Sequence, residues 1–269
     1  MPDQQKYNNK LHDTRVLIIG GSSGLGFTAA EAILESGAGA VILSSSNPQR
    51  IGTALDRLKA LYPSRASAVS GHECNLADEV NLENNIKALF DFATDNGSKK
   101  LDHILFTAGD RLAIKPMTET TFDAMKQAGL VRFFAPLLVG KYAIKHLKAG
   151  RQSSFIITSG GVSQRPHQDW TVVGSFASGH FGMVRGLALD LAPRRCMVVC
   201  PGFVNTELWD WMEADAKNKL LQGVASAVPT QAAAQPEDIA QAYLYVMKDP
   251  NCTGQVITTD SGNLLKGPG

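Results

Sequence analysis

The sequence lacks any excess of charge of one sign: 26 Lys and Arg stand against 25 Asp and Glu over 269 residues, a formal net charge of +1. With no block of like charges there is no electrostatic footprint for nucleic acid or an anionic membrane surface, and neither is expected as a partner. Long apolar runs are missing too. None approaches the ~18 residues of a membrane-spanning helix. The opening "MPDQQKYNNKLHDTR" is too polar for a secretory signal, which makes a cytoplasmic location the expectation. Cysteine is scarce: Cys74, Cys196, Cys200 and Cys252 form no disulfide framework, and Cys196 and Cys200 fall on one face of an expected strand as small apolar residues. His72, Glu73 and Cys74 are adjacent but lack zinc-ligand spacing, so they read as a strand end and no metal is expected.

What is present is an apolar fraction of 44%, enough for one sizeable core. Apolar runs alternate with helical patterns along the whole chain. Strands are expected at 15–20, 40–45 and 66–71, within 101–109, and at 153–160, 196–202 and 254–262. Helices are expected at 24–36, 48–61 and 78–95, with one long helix over much of 118–148. Such alternation implies parallel βαβ units, and short, nearly continuous apolar strands imply helices on both faces. The expected fold is α/β, a Rossmann-type doubly wound parallel sheet. No repeat or linker divides it: a polar segment at 1–14 precedes one domain over 15–269. The least regular stretch, 203–235, is long enough to serve as a substrate lid.

"IGGSSGLGF" (19–27) joins the first strand to the first helix. Gly20, Gly24 and Gly26 allow a tight turn and a close approach to a pyrophosphate, while Ser22, Ser23 and Leu25 share the turn that offers free N–H groups. The spacing is Gly-x-x-x-Gly-x-Gly. At the end of the second strand an acidic residue would hold a ribose 2′-hydroxyl. Ser44, Ser45, Ser46 and Asn47 stand there instead, with Arg50 close behind. Hydroxyls and a guanidinium suit a 2′-phosphate, so NADP(H) is the expected cofactor; the alternative is that the serines solvate a loop.

Further segments match in order. "CNLAD" (74–78), "FTAG" (106–109), "CPGFVNTE" (200–207) and "TGQVITTDSG" (253–262) follow the glycine turn. With them the chain resembles the short-chain dehydrogenase/reductase family over nearly its whole length. The resemblance implies a sheet of about seven strands, a homodimer or homotetramer, and cofactor contacts from Asn75 and Leu76, from Ala108 and Gly109, and from Pro201, Gly202, Val204 and Thr206. Most members work with an Asn, Ser, Tyr and Lys tetrad. With "GMVRGLALDLAP" (182–193) as anchor, those four positions fall on Gly129, Gly160, Val173 and Ala177. Ser159 is adjacent to the serine position, and no tyrosine lies between Tyr142 and Tyr243. The glycines at 129 and 160 are expected to add room.

Ketone reduction builds charge on oxygen and gains about 10²–10⁴-fold from an acid. An iminium is already electron-poor and needs positioning more than a proton. A subgroup of fungal natural-product reductases, bifunctional reductase/Diels–Alderases of indole alkaloid pathways, resembles this chain in the eroded tetrad. That resemblance implies reduction of a cyclic iminium followed by a templated cycloaddition. In "RPHQDWTVV" (165–173), Pro166 and Trp170 match the subgroup's loop, His167 occupies its acidic position and Asp169 lies two residues on; Arg132 matches its pocket arginine.

Asp169, His167 and Arg132 are therefore the candidate catalytic residues. Asp169 either pairs with a cationic substrate or serves as a turn residue. His167 is either a proton carrier or a surface-loop residue. Arg132 either orients a ligand or makes a salt bridge at a subunit interface. Trp170, Phe203, Trp209, Trp211 and Met212 line the expected pocket rim and suit a polycyclic or aromatic small molecule. The leading expectation is an NADPH-dependent imine or iminium reductase with a possible cyclase step. A redox-neutral cyclase or isomerase with structural NADP, a non-catalytic NADP-binding protein, and a carbonyl reductase with a relocated acid stand as alternatives.

Overall fold

Val16, Leu17, Ile18 and Ile19 are consecutive apolar residues and all four are buried. Burial on both faces is the environment of a central parallel strand, and Arg15–Ile19 forms β1. The computed structural model describes residues 6–265; the outer parts of the expected 1–14 segment and of the 15–269 domain, residues 1–5 and 266–269, lie outside it. Along the chain follow α1 (Gly24–Glu35), β2 (Ala40–Ser45), α2 (Pro48–Leu61), β3 (Val69–Glu73), α3 (Leu82–Ala93), β4 (His103–Phe106), α4 (Phe122–Gly129), α5 (Ala135–His146), β5 (Ser154–Thr158), α6 (Thr171–Asp190), β6 (Arg195–Pro201), α7 (Ala214–Ala227), α8 (Pro236–Lys248) and β7 (Val256–Thr259).

The seven strands pair in parallel in the order β3-β2-β1-β4-β5-β6-β7. This is the expected doubly wound sheet. The strand order switches direction between β1 and β4, which opens a crevice beyond their C-terminal ends. On one face Leu17, Ile104, Phe155 and Val198 pack with Ile86 and Phe90 of α3, Val139 of α5 and Val184 of α6. On the other, Val16, Val41, Leu105 and Met197 pack with Ile33 of α1, Leu58 of α2 and Tyr243 of α8. Leu11 is fully buried in this second cluster, so the polar leading segment is anchored in the core from that residue onward.

Three boundaries differ from expectation. The third strand runs over Val69–Glu73 rather than 66–71, because Pro63–Ala68 coils into a 3₁₀ turn and strand pairing begins at Val41↔Val69. The long helix expected over much of 118–148 runs over 122–146 as α4, a π-helical turn at Leu130–Phe134 and α5; Pro136, in the first turn of α5, has no N–H to offer the turn before it. The stretch 203–235 is not a plain loop, since it contains α7, a helix with no buried residue. Its ends are held together where Val204 bridges Ala234 and the Asn205 N–H donates to the Ala234 carbonyl.

Arg195, the first residue of β6, closes the end of the sheet opposite the crevice. It is buried, forms no salt bridge among the described residues, and its guanidinium donates to the carbonyls of Arg151 (2.5 Å), Gln152 (3.3 Å), Val246 (2.7 Å), Met247 (3.0 Å) and Cys252 (3.2 Å). Two of these lie in the last turn of α8, where the helix dipole favours a cation. Arg195→Met leaves those carbonyls without their donors. It is expected to cost about 3 kcal/mol or more of stability, read as a lower urea midpoint.

His103 in β4 is buried beside Ser154, with Nδ1 2.8 Å from the serine Oγ. Burial, reinforced by the charges of Arg195 and Lys148, pushes its pKa down to about 3 from an ordinary 6.5. The unfolded chain therefore binds a proton that the folded chain refuses. Stability is whole above about pH 6.5 and falls progressively as the pH drops toward about 3. Between about pH 7.5 and about pH 5, His103→Asn is expected to remove about 2 kcal/mol of the wild-type loss, measured as the pH dependence of urea unfolding.

Candidate active site

The crevice is floored by two turns in close contact. Gly20 has φ +93°, and a Cβ there would stand 2.5 Å from the Ala108 nitrogen. A Cβ on Gly26 would stand 2.3 Å from the Gly20 carbonyl oxygen. Only glycine fits either place. The turn is fixed by Gly20 and Gly21 N–H groups donating to the Ser44 carbonyl (2.8 and 3.1 Å) and by the Thr107 hydroxyl donating to the Gly20 carbonyl (3.1 Å). At the start of α1, Ser23 gives no side-chain cap and no acidic residue occupies the first turn, which leaves N–H groups open toward an anion. The turn at Thr206 and Glu207 lies directly over Gly24: Thr206 Cγ2 is 3.5 Å and Glu207 Oε2 3.2 Å from where a Gly24 Cβ would be.

At the end of β2 the side chains divide. Ser44 is fully buried and its Oγ has no partner among the described residues, so it supports the turn through its carbonyl instead of facing a ribose. Ser45 Oγ accepts from the Asn47 N–H, and Asn47 Oδ1 caps α2 by accepting from the Arg50 N–H (3.0 Å). The Ser46 and Arg50 side chains are exposed, and no carboxylate occurs over 44–50. Asn75 is exposed and its Oδ1 accepts from the Ala77 N–H, whereas the Leu76 side chain belongs to the core. Pro201 and Val204 are likewise buried, so they border the crevice by backbone. These features fit a dinucleotide with a 2′-phosphate: a close-approach turn, open helix N–H groups, and a cation with no competing acid.

The deeper end is built from three loops, which follow β4, β5 and β6. The Lys115 N–H donates to the Asp169 carbonyl (3.1 Å), joining the first loop to the second. Arg111 stacks its guanidinium on the Trp211 ring (5.3 Å), joining the first to the third. Arg132 is delivered by the π-helical turn. Its Nε donates to Asp110 Oδ1 (3.0 Å), and a terminal nitrogen donates to the Asp110 carbonyl. The guanidinium lies against Gly109, where a Cβ would come within 2.8 Å of both terminal nitrogens. Burial pulls the Arg132 pKa below its ordinary value, and the Asp110 carboxylate opposes that shift.

Asp169 has φ +65° and is half-buried, and His167 is exposed with its ring edge-on to Trp170 at 5.5 Å. Neither side chain makes a hydrogen bond among the described residues. Phe203 and Trp209 stack at 4.7 Å, with the indole N–H donating to the Val204 carbonyl. Met212 follows, its N–H donating to the Trp209 carbonyl. Each tryptophan thus has a different partner. The room expected at Gly129 is taken, because a Cβ there would meet Phe176 at 2.7 Å and Phe134 at 3.0 Å; around Gly160 the space is open.

Ser159 Oγ donates to the Ala177 carbonyl (2.9 Å), and Val173 is buried. The tyrosines are engaged elsewhere. Tyr62 donates to Glu35, Tyr142 reaches Glu83 and stacks on Phe90, Tyr245 donates to Asp249, and Tyr7 is exposed near the start of the chain. Tyr243 is fully buried against Thr158, and burial raises its pKa far above the ordinary range. Among the described residues, no group of His, Cys, Asp and Glu is placed to hold a metal ion, and no helix is long and apolar enough to cross a membrane.

The model of the SDR-like Rossmann domain matches residues 7–266. The chain belongs to the short-chain dehydrogenase/reductase family. It is 42% identical over 261 residues to the short-chain dehydrogenase/reductase fsr5 of Gibberella fujikuroi, covering 97% of this chain and 98% of that protein. It is 38% identical over 268 residues to the short-chain dehydrogenase/reductase malC of Malbranchea aurantiaca, covering 99% and 100%. The solved structure of the MalC reductase/Diels–Alderase from that organism superposes with a TM-score of 0.91 over 97% of this chain and 100% of the other. Within this short-chain dehydrogenase/reductase, Asp110, Arg111 and Lys115 were not singled out from sequence; their one signal is that they lie within the six residues after "FTAG". Gly109→Ala is expected to push the Arg132 guanidinium off Asp110 while the sheet still folds. The check is a crystal structure of the variant beside an unchanged melting profile.

Proposed function

We propose that this chain is an NADPH-dependent reductase of a cyclic imine or iminium intermediate in natural-product assembly of the indole alkaloid kind, and that the same pocket templates a cyclisation such as an intramolecular Diels–Alder reaction. One observation carries the reading: a cradle shaped for a dinucleotide ends in a pocket that no tyrosine hydroxyl reaches. The likeness to the MalC reductase/Diels–Alderase supports it further. NADPH supplies hydride when bound. Gly20 and Gly26 would let the backbone close on its pyrophosphate, Ser46 and Arg50 would hold the 2′-phosphate, and Thr206 would hold the carboxamide.

On the substrate side the chemistry asks for a site that tolerates a cation and fixes a carbonyl. Asp110 supplies negative charge beside Gly109, and Arg132, held by that carboxylate, presents its remaining N–H groups to a carbonyl oxygen. Asp169 and His167, whose side chains make no hydrogen bond among the described residues, are the groups available to balance the cation or carry a proton. Aromatic faces at Trp170, Phe203 and Trp209 hold a polycyclic body in a folded conformation, which is what an intramolecular cycloaddition requires. The chain acts as a homo-oligomer inside the cytoplasm on this reading.

The test offers the purified protein NADPH with a preformed cyclic iminium or with a ketone of matching shape. NADPH is expected to be consumed with the iminium, with the ketone about 10²–10⁴-fold slower and NADH a poorer donor than NADPH. Comparable turnover of the ketone would overturn the reading. Product formation without NADPH consumption would point to the redox-neutral cyclase instead.

A further inference from the structure

The π-helical turn that delivers Arg132 leaves the Arg132 carbonyl facing α6, and a histidine meets it there. His180 Nε2 lies 2.7 Å from that oxygen. A carbonyl can only accept, so Nε2 carries the proton and Nδ1 is a bare acceptor. Nδ1 is buried and has no partner among the described residues. The ring is 4% exposed and lies parallel to Phe133, at 6.2 Å between centroids and 17° between planes. The preceding residue, Gly179, is covered by Phe133: a Cβ there would stand 2.6 Å from the ring.

An imidazole is a costly residue for this place if packing is its only task. Phenylalanine or leucine would fill the space without burying an unpaired nitrogen. What the imidazole adds is one hydrogen bond, and it goes to the residue whose guanidinium is held at its far end by Asp110. Arg132 is thereby fixed twice, by its backbone to α6 and by its side chain to the loop after β4.

Resting on the reading of Arg132 as a ligand-orienting group, we propose that His180 is a positioning residue: it clamps the π-helical turn through the Arg132 carbonyl and so sets where the guanidinium points. Side chains that align a ligand lose effect steeply with small displacements.

The experiment compares His180→Phe, which keeps a ring and loses the donor, with His180→Gln, whose amide nitrogen replaces Nε2–H. Exchange of the Arg132 Nε–H with solvent, followed by NMR in the cofactor-free protein, is expected to quicken on the order of tenfold in His180→Phe and to remain slow in His180→Gln. With NADPH and the iminium substrate, KM is expected to rise on the order of tenfold in His180→Phe with kcat nearly kept, and to recover in His180→Gln. On an Arg132→Gln background, His180→Phe is expected to add nothing to KM. Unchanged Nε–H exchange in folded His180→Phe, or an equal rise in KM on the Arg132→Gln background, overturns the clamp. If His180→Phe does not fold, His180→Asn takes its place, since its shorter amide stands at the Nδ1 position and cannot reach the carbonyl. Exchange is read without substrate, so a wild-type protein that reduces no iminium sinks the proposed function and leaves the exchange result to decide the clamp.

Discussion

The parallel pairing of β1 with β4 forces two turns into contact so close that no side chain fits between them. Gly20 lies on the Ala108 backbone, Gly26 on the Gly20 carbonyl, and the Thr107 hydroxyl joins the strand ends. Everything functional is arranged around this approach. It exposes the N–H groups that begin α1, and it aims the loop carrying Gly109 and Asp110 at the arginine of the π-helical turn. A switch point built this way offers open N–H groups to a ligand lying along the backbone.

The chemistry then divides by which atoms a residue offers. Around the crevice, Leu76, Pro201 and Val204 are present as backbone with their side chains in or near the core, and Ser44 works through its carbonyl. Polar side chains left without a hydrogen bond among the described residues include Ser46 and Arg50 at one end and Asp169 and His167 at the other, while Arg132 is held by Asp110. Of the hydroxyls near the tetrad positions, Ser159 is tied to the Ala177 carbonyl, and Tyr243 is sealed in the core.

Much of the fold was legible because strand burial writes itself into runs such as "RVLII" and "CMVVC", and the glycine turn announces itself by position. Where the reading slipped, a local event had no periodic signature. "PSRASA" coils before β3, and "LVRFF" looks like uninterrupted helix although one extra residue is accommodated there. Gly129 was read as space, yet Phe176, distant in sequence, fills it. Asp110 escaped notice because a lone acid after a motif carries no spacing to judge. Its role appears only when a turn 22 residues later brings Arg132 onto it.

The helix α7 has a consequence of another kind. Since none of its residues is buried and both ends of its segment are tied at Asn205 and Ala234, it hangs from the sheet like a bracketed flap. None of its residues belongs to either apolar cluster. Mutations there escape the usual penalty of core substitutions. Descendants of this chain can therefore vary the surface of α7 without first acquiring a sturdier framework.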